Sequence, residues 1–213
     1  MSLIPTQLKE PTAIYSLLFT LLLFIVSFVV AYNFLSREKF KTSEKYVFMW
    51  LTWDALVHLI LEGSFVYMSI LGRTVETSSG PMAELWKEYG KADSRWLIAE
   101  PTVVSIEIPT FILCGPVSVL VLWAITKDHP IRHPLQFLLC TCELYGGYLT
   151  WMPEYLTGNK SLAIDNPLYL WVYMVLFNGL WVLVPTFLLV QSWYELLRGA
   201  ELLSQHRQAK KSL

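Results

Sequence analysis

The stretch Trp50–Leu71 reads WLTWDALVHLILEGSFVYMSIL and constrains this chain more than any other. It is long and apolar enough to cross a bilayer, which takes ~20 residues of helix. Yet it carries Asp54, His58 and Glu62 at i, i+4 and i+8. On an α-helix these three form one stripe, drifting only ~40° per step. A charge at bilayer depth costs at least ~2.5 kcal/mol on the mildest scale, so the stripe faces a protein interior or a wet cavity. Ionisable residues so placed are functional candidates by default.

The rest of the chain supplies helices to pack around that stripe. Of its 213 residues 54% are hydrophobic, and the mean hydropathy is +0.46, too apolar for an ordinary soluble domain. Five spans are expected at about 13–35, 46–71, 103–125, 134–155 and 168–190, giving an all-α, polytopic membrane protein: a five-helix bundle with an intramembrane ligand cavity. The first span has no charge, and Thr12 is its expected N-cap. Pro109 is expected to kink the third span. Between the second and third spans, Met82, Leu85, Trp86 and Tyr89 recur at helical spacing, which predicts a short amphipathic helix on the membrane surface. No internal repeat or linker divides the chain, so 1–213 reads as a single membrane domain. No cleavable leader is expected, because the first apolar run is too long and lacks a basic flank. The net charge of −1 gives no field to steer nucleic acid. Cys114, Cys140 and Cys142 all fall in apolar stretches and read as small buried hydrophobes rather than a disulfide framework.

Lys and Arg set the orientation. Ten of them (Arg37, Lys39, Lys41, Lys45, Lys127, Arg132, Arg198, Arg207, Lys210 and Lys211) share one side with the tail. Six (Lys9, Arg73, Lys87, Lys91, Arg95 and Lys160) share the other with the N-terminal lead. The tail, 198–213, is therefore expected in the cytoplasm, where Lys210-Lys211-Ser212-Leu213 resembles a dilysine retrieval signal of the endoplasmic reticulum.

Glu107 in the third span and Glu143 in the fourth join the stripe as acids at membrane depth, and Asn178 and Trp181 lie one turn apart in the fifth. In a packed bundle these groups converge on one cavity, where proton donation and removal are the chemistry at hand. Each has a blander reading alone: a register-fixing buried pair, a snorkelling carboxylate, a packing indole, an interhelical amide. Metal binding is not expected, since there is no HExxH and the Cys140/Cys142 spacing is too close for the usual ligand pair. With no glycine-rich phosphate loop and no GxSxG, no cofactor is expected and serine hydrolysis is disfavoured.

The order and spacing of several short runs resemble the emopamil-binding protein family, the sterol 8,7-isomerases within the EXPERA group. They are HLILEG at 58–63, WKEYGKADSR at 86–95, EIPT at 107–110 with Gly115-Pro116, Tyr145-Gly146, PLY at 167–169 and NGLW at 178–181. The resemblance runs from about Trp50 to Thr186 and implies an enzyme of the endoplasmic reticulum that moves a sterol 8,9 double bond to 7,8. Protonation of the alkene gives a tertiary carbocation, and a base removes a neighbouring proton. By the same resemblance His58, Glu62 and Glu107 are the acid–base residues, and Thr110 and Asn178 orient them. Trp181 faces the cation, and Asp93 and Arg95 sit near the cavity mouth. Trp96, Tyr145, Glu143 and Asp54 complete the expected substrate-binding set.

Partners implied are a sterol or related polycyclic lipid, the bilayer, and cationic amphiphilic amines as inhibitors, since a protonated amine resembles the carbocation. The assembly is left open between monomer and homodimer. Departures from the family pattern are Trp96 where tyrosine is expected, Glu143 where glutamine is usual, Asp54 as an extra acid, and Pro109 between Glu107 and Thr110. They add negative charge and leave open a related terpenoid as substrate. A non-catalytic sterol- or amine-binding protein of the same fold is the second reading. A proton-coupled transporter, which usually shows internal repeats, is the third.

Overall fold

A computed structural model describes residues 10–35 and 40–211. The basic residues Lys9, Arg37 and Lys39, together with Ser212 and Leu213 of the tail motif, lie outside the described residues. Among the described residues the chain forms five long helices, one short one and a single 3-10 turn at Ser94–Trp96, with no strands. Helix α1 is Pro11–Leu35. Helix α2 runs over 42–69, the short α3 is Pro81–Gly90, α4 is Pro101–Lys127, α5 is Arg132–Thr157 and α6 is Leu168–Lys211. By length and composition α1, α4 and α6 are apolar enough to cross a membrane. Their apolar residues are largely exposed: Leu18, Phe28, Ile112, Trp171 and Phe187 all face outward. In water this would be a liability; against lipid it is the expected surface.

Three of the long helices change character part-way. Helix α2 is α-helical over Thr42–Leu56, widens to a π-helix over Val57–Glu62, and resumes as α over Gly63–Ser69. Helix α4 does the same at Thr110–Cys114, directly after Pro109, and α6 opens with π turns over Leu168–Phe177. Proline lacks the N–H that the regular ladder needs, so a change of bonding pattern beside Pro109 has a local cause. Such π segments recur at functional sites, because they re-aim side chains without ending the helix.

The expected N-cap at Thr12 is corrected. Helix α1 already begins at Pro11, and the Thr12 hydroxyl donates instead to Glu88 Oε2 at 3.1 Å, tying α1 to α3. The amphipathic helix is present as α3, but its apolar face is turned into the protein, with Ala83, Leu85 and Trp86 buried. Trp86 stacks flat on Trp96 with ring centroids 4.7 Å apart, and its Nε1 reaches Ser64 Oγ at 3.0 Å. Packing two indoles here removes more apolar surface than leaving them at an interface would.

Helices α2 and α4 approach closely where their π segments face each other. A Cβ on Gly63 would fall 2.8 Å from the Phe111 ring, and one on Gly115 would fall 2.7 Å from Leu59 and 3.4 Å from His58 Cβ. A side chain at either crossing would require Phe111 or Leu59 to shift.

Candidate functional site

The π segment of α2 solves a geometric problem. An α-helix would carry Glu62 ~40° past His58, whereas a π turn needs extra residues to come round. The lag over His58–Glu62 offsets the drift over Asp54–His58, and both carboxylates reach the same imidazole. His58 Nδ1 lies 2.5 Å from Glu62 Oε2, and Nε2 lies 3.0 Å from Asp54 Oδ1. The second contact is an ion-pair distance without hydrogen-bond alignment, since Nε2 has no aligned partner among the described residues. His58 and Asp54 are buried, while Glu62 keeps a small exposed face.

Other helices complete the cluster. From α4, Thr110 Oγ1 lies 3.1 Å from Glu107 Oε2 and 2.8 Å from the Glu107 carbonyl. Ser118 Oγ lies 2.7 Å from Asp54 Oδ2. From α5, Glu143 brings Oε1 to 3.8 Å from His58 Nε2. From α6, Trp181 donates Nε1–H to Asp54 Oδ1 at 3.0 Å, and Asn178 donates to the Tyr89 hydroxyl and the Tyr173 carbonyl, both at 3.1 Å.

Most of these groups border one mostly apolar pocket that opens to the outside. Of the expected residues, His58, Glu62, Glu107, Thr110, Glu143, Asn178, Trp181 and Trp96 line it. Asp54 sits behind this wall, wholly buried, holding Trp181 and His58. Asp93 and Arg95 are not in the lining. Their buried ion pair closes at 2.6 Å, with Arg95 also donating to the Thr150 carbonyl and lying 3.5 Å from Glu154, so the pair braces the α3–α4 connection against α5. Around Arg95 these acids hold the guanidinium pKa above its usual value, outweighing burial. Tyr145 is not brought to the pocket either. It is 63% exposed, because two residues beyond the inward Glu143 a helix has turned ~200°.

Residues missing from the expected set complete the walls. Trp53 packs on Trp181 with centroids 4.9 Å apart, and Trp50 does so at 5.3 Å. With His58 against the same indole at 6.5 Å, Trp181 is fixed on several sides. The Trp-x-x-Trp spacing just before Asp54 was the available signal. Tyr89 meets the pocket from α3, and burial lifts its phenol pKa well above the usual value, keeping it a neutral donor.

Asp54, His58 and Glu143 each offer a ligand atom, and the three atoms lie within 4.8 Å of one another. That set is compact enough for a cation. However, Asp54 already accepts from Trp181 and Ser118, and His58 Nδ1 is engaged by Glu62.

The family model described as EXPERA (expanded EBP superfamily) matches residues 81–192. The chain belongs to the EXPERA superfamily. Within it, the chain is similar to a probable 3-beta-hydroxysteroid-Delta(8),Delta(7)-isomerase of rice, 31% identical over 190 residues, 89% of this chain and 84% of the relative. A guinea-pig 3-beta-hydroxysteroid-Delta(8),Delta(7)-isomerase is 34% identical over 67% of this chain and 61% of its own length. An isomeliandiol synthase of Melia azedarach is 31% identical over 80% of this chain and 78% of its own. This EXPERA match begins at Pro81, so α2 with His58 and Glu62 precedes it.

Proposed function

We propose that this chain is an intramembrane sterol double-bond isomerase that moves an 8,9 alkene to the 7,8 position. It is an isomerase of the intramolecular oxidoreductase class. The observation that carries the reading is the convergence of His58, Glu62 and Glu107 beside Trp181 in one mostly apolar pocket. Protonating one alkene carbon places a cation on the other, and removing a proton from the next carbon completes the shift. His58, Glu62 and Glu107 hold and move those protons. Thr110 fixes the Glu107 carboxyl. Trp181 offers a π-face to the cation, worth ~2 kcal/mol or more where water is excluded. An indole stabilises the cation without capturing it as water would. Asn178 acts on the wall through Tyr89.

The five long helices serve as five spans of one domain in the endoplasmic-reticulum membrane, with the EXPERA-like part at about 46–190 and the tail on the cytoplasmic side. Its pocket takes a flat polycyclic lipid and, in its place, cationic amphiphilic amines. No cofactor is needed for the proton transfers. A second substrate, a related polycyclic terpenoid, is favoured by the similarity to isomeliandiol synthase and by the added acids Asp54 and Glu143.

Microsomes from a host lacking its own isomerase, carrying this chain and fed an 8,9-unsaturated sterol in deuterated water, test the reading. The expected product is the 7,8-alkene with deuterium at the newly protonated carbon. Unchanged sterol, with an 8,9-unsaturated terpenoid converted instead, supports the second substrate. Conversion of neither overturns the isomerase.

A further inference from the structure

Glu143 is the group that the acid–base set above does not use. Its side chain is 1% exposed, it lines the pocket, and neither carboxyl oxygen has an aligned hydrogen-bond partner among the described residues. A buried carboxyl left without donors is costly as an anion. Its neighbour Asp54 is different, with Trp181 and Ser118 both donating to it. Two carboxylates facing one imidazole nitrogen in a dry space repel, so one of them carries a proton. The donors mark Asp54 as the anion and Glu143 as the acid.

The imidazole between them has a carboxyl on each side. Nδ1 meets Glu62, which in turn neighbours Glu107, and Nε2 faces Glu143 at 3.8 Å with nothing aligned to it. We propose that Glu143 is a catalytic acid at one end of a proton relay, Glu107–Glu62–His58–Glu143, that is reset without water. This deepens the isomerase reading and rests on it.

The steps balance. The Glu143 O–H bond breaks as the alkene π pair forms a C–H bond, and the other alkene carbon becomes the cation. Loss of a proton from the carbon beyond, to Glu107, leaves its C–H pair as the new double bond. Glu107 then has one proton too many and Glu143 one too few. Passage through Glu62 to Nδ1, with release from Nε2 to Glu143, restores both carboxyls and leaves the imidazole proton on Nδ1; a turn of the ring returns an N–H to the Glu143 side. No oxidant or reductant enters. The unanchored Glu143 carboxyl is free to turn between substrate and Nε2.

The test uses the full chain purified in bilayer nanodiscs. Glu143→Gln should keep the thermal shift produced by a tertiary-amine ligand, with KM little changed and kcat down ~100-fold. Glu143→Asp should recover part of that loss, which a packing role would not predict. Wild-type turnover rate in Glu143→Gln overturns the proposal. An independent arm uses the wild-type chain and a substrate deuterated at the carbon that loses its proton. A closed relay passes that deuterium on through Glu62 and His58, so it reaches Glu143 only after further turnovers, and product from those later turnovers carries it at the new C–H bond above the solvent level. Label at the solvent level alone overturns the proposal, and this arm decides if the variant does not fold. Absence of any wild-type turnover overturns the isomerase reading itself, and is told apart by that control.

Discussion

Helices α1 and α2 are both long enough to span a bilayer, yet they do opposite work. Helix α1 has 25 residues with no charge and exposes Leu18, Leu21, Leu22 and Phe28. A side-chain hydrogen bond from Thr12 to Glu88 links its start to α3. Helix α2 buries Asp54 and His58 almost completely and changes its winding to keep Glu62 on the same imidazole. A uniformly apolar helix is free to face lipid, and nothing in it demands a particular neighbour. A helix with polar groups at membrane depth must find partners for them, and those partners dictate which helices meet. The site is specified by α2; α1 closes the bundle around it.

The contrast breaks first at the acid–base groups. His58→Ala and Glu107→Gln should each lower turnover by ~1000-fold while the tertiary-amine thermal shift persists in at least one of them. Label incorporation from deuterated water reads the loss directly. Comparable turnover in both variants would show that burial at membrane depth served packing alone.

Trp181→Ala comes next. Removing a desolvated π-face worth ~2 kcal/mol predicts a loss of ~30-fold in kcat. Trp181 also donates to Asp54, so Trp181→Phe separates the two roles. Phenylalanine keeps a π-face and drops the N–H, and should retain more activity than alanine. Equal losses in sterol binding and in kcat would mean that the indole only packs.

These two effects also divide what the sequence carried from what it did not. Hydropathy and the i, i+4, i+8 spacing sufficed to place α2 and its stripe, because the cost of a charge in lipid leaves one solution. Glu107 and Glu143 could be named for the same reason, whereas Asn178 and Trp181 came from their one-turn spacing and the family resemblance. Tyr145 could not be placed by its neighbourhood in the sequence: adjacency to Gly146 says nothing about which face of α5 turns inward. Asp93 and Arg95 stand beside pocket residues in the chain but pair with each other and with Glu154, because a buried guanidinium needs carboxylates more than a cavity needs it. The π segments left no hydropathy signal, and only the one in α4 has a local cause in the sequence, Pro109.

Gly115→Ala probes one of the two glycine crossings and should have a moderate effect. The added Cβ would press on Leu59 and approach His58 Cβ, so α4 must back away from α2 just where the imidazole is held. Overpacking of this kind costs ~1–3 kcal/mol. A drop in Tm of several degrees with a ~10-fold loss of turnover is expected. If stability falls while turnover does not, the close approach serves packing and not the setting of His58.

Leu22→Ala should do least, and the reason is particular to a membrane. Leu22 is 51% exposed in α1, and in this reading its neighbour is lipid. Shortening a core leucine leaves a cavity and costs ~2–5 kcal/mol. Lipid tails refill the space beside α1, and apolar side chains gain no hydrophobic drive from facing protein over lipid. The expected change is within ~0.5 kcal/mol, with turnover and amine-induced thermal shift as in the wild type. A large loss would place a protein surface, not lipid, against that face of α1, and would give α1 a partner of its own as binding as those that α2 requires.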